Sequence, residues 1–362
     1  MYPCLYVDLR KLEHNTRVLA AMCHQFGLQL MAVTKGMGGA PDVAAAFLAG
    51  GAVALADSRL ANLLRLRKAG LQTELWLLRS PGPSDVEQCA AVADGSFHSQ
   101  WSVLKALAVH AQRFERRHKV YIMVEMGDLR EGLLPQDAGD LFMRARQLPN
   151  LDVLGLGTNA ACFGGIKPTA AMLQELAALA SQLERECDCG PLQISAGNSS
   201  AALLMNSGGW QGIWTEAMHH VRMGESLLFG WDVYEHKALP GCEQHPCVLR
   251  AEVIEVAVKP SVPIGPRGRN AFGQRTEFED KGWRRRALVA VGRQDLGAGC
   301  VKPLAEGVEV IGVTSDHLVL DVEEQPAVQV GSILEFSLDY GALLALSTSK
   351  YVKKDFANRS TM

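Results

Sequence analysis

The sequence predicts an α/β protein with two domains, an N-terminal (β/α)8 TIM barrel and a C-terminal, mostly β domain. Up to about Gly230, short apolar runs typical of strands alternate with amphipathic runs typical of helices. After that point the helical periodicity nearly disappears, and short runs rich in β-branched residues continue. A chain of 362 residues is also long enough for two separate cores. We therefore expect a barrel at residues 1–232 and a β domain at residues 233–362.

The barrel prediction depends on the number of strand candidates. Eight apolar runs occur at the spacing of strand–helix units, and eight strands close a barrel of this type. In chain order the runs are Leu30–Lys35, Val53–Asp57, Glu74–Leu78, Gly95–His98, Val120–Glu125, Val153–Thr158, Leu192–Ala196 and Val221–Phe229. Helical patterns separate them. The clearest is Thr169–Glu186, which repeats apolar residues along one face, and Pro41 suits the first turn of another helix.

The C-terminal domain shows a different pattern, in which proline, glycine and aspartate separate short apolar runs. The strand candidates are Val248–Val258, Ala287–Val291, Gly307–Val313, Leu318–Val322 and Ile333–Leu338. The polar segment Ser261–Gly282, rich in glycine, proline and arginine, predicts a long loop. Residues from about Lys353 onward predict a frayed tail.

Composition limits the partners and the cellular compartment. A net charge of −3 indicates no nucleic-acid or membrane-surface partner. Charged residues between Asp8 and Arg17 argue against a secretory signal, and no apolar run is long enough to span a membrane. Nine scattered cysteines are typical of reduced thiols, so we expect a cytoplasmic protein. Neither Cys187–Cys189 nor Cys242–Cys247 has a second ligand pair, and we expect no bound metal.

Residues able to do chemistry follow several of the predicted barrel strands. Active sites of such barrels lie at the C-terminal ends of the strands, so these residues are expected to converge on one rim. They are Lys35, Arg130, Thr158, Asn159, Asn198, Ser199, Arg222 and Gly224. The alternative for Lys35 is a solvated charge at a strand end.

The loop "SAGNSSA", from Ser195 to Ala201, stands where the helix after the seventh strand should begin. Gly197 lets a ligand approach the backbone closely, and N–H groups at a helix start favour an anion. The alternative is a simple helix cap. A phosphate site on the same rim as a lysine fits pyridoxal 5'-phosphate (PLP), whose aldehyde bonds to lysine and whose ring stores carbanion charge.

The order and spacing of these motifs resemble the alanine racemase-type (fold type III) PLP enzymes, and within them the ornithine racemase-like subgroup. The matching stretches are "YVDLRKLEHN", "AVTKG", "GDLREG", "AGNSSA", "VRMGESLLFG", "VGRQD" and "TSDHLVLDV", which together span nearly the whole chain. The resemblance implies an isomerase, a PLP-dependent amino-acid racemase (EC 5.1.1 class) that removes and returns the Cα proton. It also implies a head-to-tail homodimer in which the C-terminal domain of one chain completes the active site of its partner.

The resemblance assigns roles to individual residues. Lys35 corresponds to the Schiff-base lysine, which also acts as acid and base on one face of the substrate. Arg130 corresponds to the contact of the cofactor phenolate oxygen, and Arg222 to the partner of the pyridine nitrogen. The phosphate contacts correspond to Asn198, Ser199 and Gly224. Because arginine stays protonated, the ring nitrogen is expected to stay unprotonated, which favours proton exchange at Cα and disfavours transamination.

One departure from the family concerns the second base. The tyrosine that serves the opposite face of the substrate corresponds here to Phe272, which cannot carry a proton. The candidates for a replacement are Asp295, Cys300, Asp316 and His317. We favour the Asp295–Cys300 segment, with Asp295 as the catalytic residue. Structural roles as a turn, a cap or a small buried residue are the alternatives.

Other departures concern the substrate. The phosphate-binding tyrosine, the carbamylated lysine and the ring-packing histidine of alanine racemases correspond to Gly39, Met123 and Asn159. These changes indicate a remodelled pocket for a larger or basic amino acid such as ornithine or lysine, with Ser315 and Asp316 at the substrate. A distal ammonium also requires an acidic or carbonyl partner. The acids considered for this role are Glu225, Asp232 and Asp295.

Three alternatives to a racemase remain open at this point. A metal- and PLP-dependent D-amino-acid dehydratase or aldolase has the same fold, but "SDHLVLD" lacks the His-x-Cys pattern expected of it. A non-catalytic PLP-binding protein with the same barrel is short and single-domain, so the residues after Gly230 argue against it. The third alternative is an interaction protein with an inactive site. Lys35, Arg130 and Arg222 argue against it, whereas Phe272 keeps it open.

Overall fold

The structure is a computed structural model that describes residues 2–210 and 218–357. The chain forms two compact units, one of Leu9–Pro246 and one of Met1–Asp8 with Cys247–Met362. The division therefore falls after Pro246 and not after residue 232, and the first residues belong to the β-rich unit. The physical reason is backbone pairing, because the strand Cys4–Asp8 hydrogen-bonds to strands of the C-terminal part of the chain.

The barrel unit contains eight parallel strands that close in sequence order, β2 to β9, which confirms the predicted (β/α)8 barrel. After β1 (Cys4–Asp8) of the other unit, they are β2 (Gln29–Val33), β3 (Ala54–Asp57), β4 (Leu75–Leu77), β5 (Gly95–His98), β6 (His118–Met123), β7 (Leu151–Gly157), β8 (Gln193–Ser195) and β9 (Met218–Met223). The interior is packed with side chains. Trp76, Phe97 and Tyr121 form its aromatic centre, with ring centroids 5.3 to 5.7 Å apart.

Nine α-helices lie in the described part of this unit, and each buries apolar residues. They are α1 (Leu9–Gln25), α2 (Pro41–Ala49), α3 (Leu60–Lys68), α4 (Val86–Val92), α5 (Trp101–Arg113), α6 (Pro135–Ala145), α7 (Ala170–Cys187), α8 (Ala201–Asn206) and α9 (Glu225–Phe229). In α7 the predicted stripe is buried, and the Thr169 side chain caps the helix by accepting from Met172 N–H.

The last predicted barrel strand, Val221–Phe229, is too long. The strand ends at Met223, and α9 begins two residues later. The Ser199 hydroxyl oxygen accepts the N–H of Gly224 (3.0 Å) and that of Ser226 (3.4 Å). These two hydrogen bonds satisfy backbone N–H groups at the start of the short helix, and an apolar sequence pattern does not encode them.

The β-rich unit contains one eight-stranded sheet in which β1 pairs antiparallel with β10 and parallel with β16. Its other strands and its helices are β10 (Cys247–Pro260), β11 (Trp283–Val289), α10 (Arg293–Leu296), β12 (Val301–Pro303), β13 (Glu309–Val313), β14 (Leu318–Asp321), β15 (Ile333–Leu338), α11 (Tyr340–Thr348) and β16 (Lys353–Ala357). The five predicted strands are present. Ser261–Gly282 forms a loop as predicted, closed at its neck by a hydrogen bond from Ser261 N–H to the Gly282 carbonyl.

Two expectations for the C-terminal end were wrong or incomplete. Lys353–Ala357 is not a frayed tail, because its backbone pairs with β1 in parallel register. Residues 358–362 lie outside the described residues. Helix α11 was not predicted, although Asp339 is a cap signal: its carboxylate accepts the N–H of Ala342 at 2.7 Å. In the described part of the chain, no helix has the length and apolar character needed to span a membrane.

Candidate active site

Lys35 lies at the carboxyl end of β2, as predicted, at the start of a short 3-10 turn, Lys35–Met37. Two hydrogen bonds fix the preceding residue, Thr34. Thr34 N–H donates to the Ala56 carbonyl at 2.9 Å, and the Thr34 hydroxyl donates to the Asp57 carboxylate at 2.7 Å. Lys35 itself is half-buried. The backbone that carries the amine is therefore fixed to the end of the neighbouring strand.

Asp57, which sequence reasoning missed, is the fully buried centre of this arrangement. Its carboxylate accepts from Thr34, from Arg59 N–H (2.9 Å) and from the Asn62 amide (3.0 Å). Burial raises the pKa of Asp57, while these hydrogen bonds and the charge of Lys35 oppose the rise. The sequence did contain a signal for Asp57, because this acid ends the strand that follows the lysine strand along the chain.

Arg222 lies on β9, the strand next to β2, and is almost completely buried, 5% exposed. Its guanidinium donates to the Thr158 carbonyl at 2.5 Å and to the Asn159 side-chain oxygen at 3.5 Å. It also lies over the Phe97 ring, 4.7 Å from the centroid. Burial lowers the pKa of Arg222 to about 10, so the group remains protonated at neutral pH.

The predicted residues Asn159, Asn198 and Arg130 are joined to Arg222 by a chain of hydrogen bonds. The Asn198 amide donates to the Asn159 oxygen at 2.9 Å, and the Asn159 amide donates to the Glu131 carboxylate at 3.1 Å. Glu131 is also the partner of the Arg130 guanidinium. Glu131 was not predicted. It adjoins Arg130 in sequence, but only the fold shows that it also meets Asn159.

The loop after β8 forms a cradle beside this chain. Gly197 has a left-handed φ of +112°, and no atom lies within 4 Å of the point that a Cβ would occupy. The Asn198 side-chain oxygen accepts the N–H of Ser200 at 2.9 Å. Ser199 bonds to Gly224 as described above, and its own O–H remains a donor. The loop thus leaves open space at Gly197 and is held by its own side chains, while its role as an anion site stays a prediction.

Sheet register places the cradle near Lys35. Strands β2 and β9 are neighbours, with Ala32 opposite Met223, so Gly224 follows beside Val33. A Cβ on Gly224 would lie 3.1 Å from the Val33 carbonyl oxygen. The lysine turn and the Ser199–Gly224 contact thus stand at the ends of adjacent strands. The amine, the cradle and the Arg222 guanidinium share the carboxyl-end rim that the sequence predicted.

The opposite end of the barrel holds a cavity of about 320 Å³. Residues near the strand starts line it, including Gln29, Glu74, Lys119 and His219. Glu74 pairs there with Lys119, and the Tyr121 hydroxyl donates to the Gln193 side chain at 2.5 Å. Because this cavity lies at the amino ends of the strands, we assign the candidate site to the rim that carries Lys35.

In the β-rich unit, the segments "VGRQD" and "TSDH" lie against each other. Arg293 N–H donates to the Thr314 carbonyl at 2.9 Å, and Gln294 N–H donates to the Ser315 carbonyl at 3.0 Å. Gly292 allows this approach, since a Cβ there would lie 2.4 Å from the Ser315 carbonyl oxygen. The segments that contain Asp295 and Asp316 therefore form one surface within the unit.

The acids on that surface differ in their partners. Asp295 is half-buried and accepts from the Ser349 hydroxyl at 3.1 Å, whereas Asp316 is exposed and accepts from the Ser315 hydroxyl at 2.7 Å. Cys300 is exposed, and its backbone bonds to Asp339. Phe272 is exposed in the long loop.

Asp232 is engaged elsewhere in the barrel unit. It is buried and accepts three backbone N–H groups, from Tyr234, Glu235 and Lys237. This leaves it poorly suited to bind a distal ammonium. Within residues 2–210 and 218–357, no three His, Cys, Asp or Glu side chains converge to hold a metal.

The fold and the rim define a class of protein. It is a (β/α)8 barrel with a lysine at the end of a strand and an open glycine loop on the same rim, and the chain continues into a β-rich unit. The alanine racemase N-terminal domain family matches residues 7–231. A lysine racemase from Thermotoga maritima is 34% identical over 354 residues, covering 98% of both chains. An ornithine racemase from Acetoanaerobium sticklandii is 34% identical over 357 residues, covering 98% of this chain and 99% of that protein.

The solved structures agree on the fold. An alanine racemase of Clostridium difficile 630 superposes with a TM-score of 0.76 at 15% identity, covering 98% of this chain and 95% of that one. At this identity the likeness shows the fold alone. The sequence relatives show more: this chain belongs to the alanine racemase family. The predicted family and the predicted fold are both confirmed.

Proposed function

We propose that the protein is a PLP-dependent amino-acid racemase that acts on a basic amino acid, ornithine or lysine. The observation that carries the proposal is the pair of relatives, a lysine racemase and an ornithine racemase, that match the chain from end to end. The rim supports the same chemistry, because the Lys35 amine, the open space at Gly197 and the buried Arg222 guanidinium lie on it together.

The residues on the rim fit PLP. Lys35 offers a primary amine for its aldehyde, and the open space at Gly197 fits a group that approaches the backbone. Asn198, Ser199 and Gly224 would hold the phosphate, and Arg130, Asn159 and Arg222 would hold the ring. When bound, PLP supplies an aldehyde that bonds to amines and a ring that accepts electrons from Cα.

The protein's residues then hold and move protons. Lys35 would take the Cα proton on one face and return it. Arg222 is fixed by the Thr158 carbonyl and stays charged, so it would donate to the ring nitrogen and not protonate it. Asp57 and Thr34 act through Lys35, because they hold the backbone that carries the amine.

A second protein copy would complete the site. We propose a homodimer in which the surface formed by "VGRQD" and "TSDH" faces the partner's barrel rim. Asp295 would serve the second face of the substrate, and Ser315 and Asp316 would contact the substrate. The exposed carboxylate of Asp316 suits a distal ammonium. All nine cysteines are free, which supports a cytoplasmic location.

The experiment tests cofactor and reaction separately. Purified protein supplied with PLP is scanned for visible absorbance before and after borohydride, beside Lys35→Ala and the surface control Lys105→Ala. We expect a borohydride-sensitive band in the parent and the control only. Each protein then receives L-lysine, L-ornithine, L-arginine or L-alanine, and the products are resolved by chiral chromatography.

The expected outcome is D-lysine or D-ornithine at a rate at least about tenfold above D-alanine, as expected of a site that pairs with the distal ammonium. Racemisation with alanine preferred would overturn the substrate proposal. A cofactor band without racemisation would overturn the reaction, and no band would overturn the cofactor.

A further inference from the structure

Three sulfur atoms converge on the outside of the barrel. Met143 lies on α6, Cys187 is the last residue of α7, and Cys189 follows two residues later. The Cys187 Sγ and the Met143 Sδ are 3.0 Å apart. The side chains of Cys189 and Cys187 interact electrostatically. Residues that are 44 positions apart in sequence thus form one sulfur cluster.

The end of α7 creates this geometry. Asp188 adopts a left-handed conformation (φ +45°), and the N–H of Cys189 returns to the Glu184 carbonyl at 3.2 Å. The tight turn brings Cys189 back toward Cys187. Both cysteines and Met143 are partly exposed, so an ion can reach the cluster from solvent.

A positive charge also acts on the cluster, although burial raises the pKa of the Cys187 thiol above its ordinary value. Arg146, three residues after Met143, is the source of this charge. Two thiolates and a monovalent cation carry a net charge of −1, which the guanidinium balances. No third His, Cys, Asp or Glu joins the two cysteines in the described chain, so the available donors are all sulfur.

We propose that Met143, Cys187 and Cys189 form a binding site for one soft monovalent metal ion of the Cu(I) or Ag(I) type. Thiolate and thioether donors select such ions, whereas Zn²⁺ in structural sites takes four ligands and prefers thiolate or imidazole. Binding replaces two S–H protons, which leave to solvent, and changes no oxidation state. The Met143 thioether cannot take part in a Cys187–Cys189 disulfide. Its contact with Cys187 therefore favours a metal site over a disulfide.

The site is separate from the proposed active site. Helix α7 runs from the carboxyl-end rim toward the start of β8 at Gln193, so its last residue lies near the opposite end of the barrel from Lys35. The proposal therefore stands or fails independently of racemase activity.

The test uses reduced, full-length protein under anaerobic conditions. Cu(I) and Ag(I) are titrated against a competing chelator, with Zn²⁺ as the comparison ion. The variants are Met143→Leu, Cys187→Ser and Cys189→Ser, and Cys242→Ser is the control at a half-buried thiol elsewhere. X-ray absorption on the first equivalent of Cu(I) counts the sulfur ligands.

We expect one equivalent to bind more tightly than the rest, with three sulfur ligands. Met143→Leu should weaken it by at least about tenfold, since even indirect metal-site changes cost 10–100-fold. Each Cys→Ser change at the cluster should abolish it, and Cys242→Ser should not.

Three results would overturn the proposal: equal affinities in all variants, nitrogen or oxygen ligands in the absorption spectrum, or tighter binding of Zn²⁺. If a variant fails to fold, the number of sulfur ligands measured by X-ray absorption on the parent protein decides the proposal.

Discussion

The stability of the barrel should fall steeply in mild acid because two neutral histidines are buried in it. The Ser96 hydroxyl lies 2.6 Å from His98 Nε2 and 2.7 Å from His118 Nε2, and all three residues are buried. Burial, with the neighbouring His118, lowers the pKa of His98 to about 3. Burial, with the charge of Arg116, lowers that of His118 to about 3.

The sign and size follow from proton linkage. The unfolded chain binds a proton at each histidine near pH 6.5, and the folded chain binds it only near pH 3. The unfolded state therefore holds more protons between these values, so stability is full above pH 6.5 and is lost as the pH falls. Each pH unit below 6.5 lowers the free energy of unfolding by about 1.4 kcal/mol per histidine, so at about pH 5 each histidine lowers it by about 2 kcal/mol. The pair costs about 4 kcal/mol, a large share of a typical 5–15 kcal/mol.

The assay is urea unfolding followed by circular dichroism at several pH values between about 5 and 8. His98→Gln removes one of the two titrating rings. Its loss of unfolding free energy across this range should be smaller than that of the parent by about 2 kcal/mol. The exposed His24→Gln is the control and should follow the parent. If His98→Gln has the same pH slope as the parent, the reasoning is refuted.

Three further changes test the rim and the β-rich unit. Thr34→Val removes a donor to the buried Asp57 carboxylate and should cost about 1.5–3 kcal/mol in urea unfolding, with a lower kcat for racemisation. Arg222→Lys keeps the charge but loses the planar donors, so PLP retention measured by dialysis should fall by about tenfold or more; unchanged retention would count against its role. Gly292→Ala forces a Cβ to 2.4 Å from a carbonyl oxygen and should cost about 1–3 kcal/mol in urea unfolding, whereas Gly312→Ala, with its nearest contact at 3.8 Å, should be nearly neutral.

The sequence predicted the elements whose burial leaves a simple pattern: continuous apolar runs in barrel strands buried on both faces, and repeated apolar residues on the buried face of a helix. All eight barrel strands and the apolar face of α7 belong to this group. Strand β16 escaped prediction because its pairing with β1 uses backbone groups and its first three residues are charged. The end of β9 was misplaced because the Ser199 hydroxyl, 25 residues earlier, sets it.

The candidate site likewise contains residues that the sequence predicted and residues that it missed. Lys35, Arg130, Asn159, Asn198 and Arg222 could be predicted because strand ends in a barrel face one rim and because their motifs resemble a family. Asp57 and Glu131 were missed because they act through hydrogen bonds to those residues. Such a role depends on distances of about 3 Å, which spacing along the chain does not specify.

By itself, the sequence determined the class of fold, the order of most of its elements and the rim that carries the candidate site residues. These follow from hydrophobic periodicity and from the common direction of parallel strands. Only the tertiary structure decided which side chains touch. It brought Asp57 under the turn that carries Lys35 and Glu131 to Asn159, and it placed Met143 against Cys187. The physical reason is that periodic burial acts on many residues at once and so leaves a pattern in the sequence. A hydrogen bond or a metal site instead needs a few atoms from distant segments to be positioned within a few tenths of an ångström.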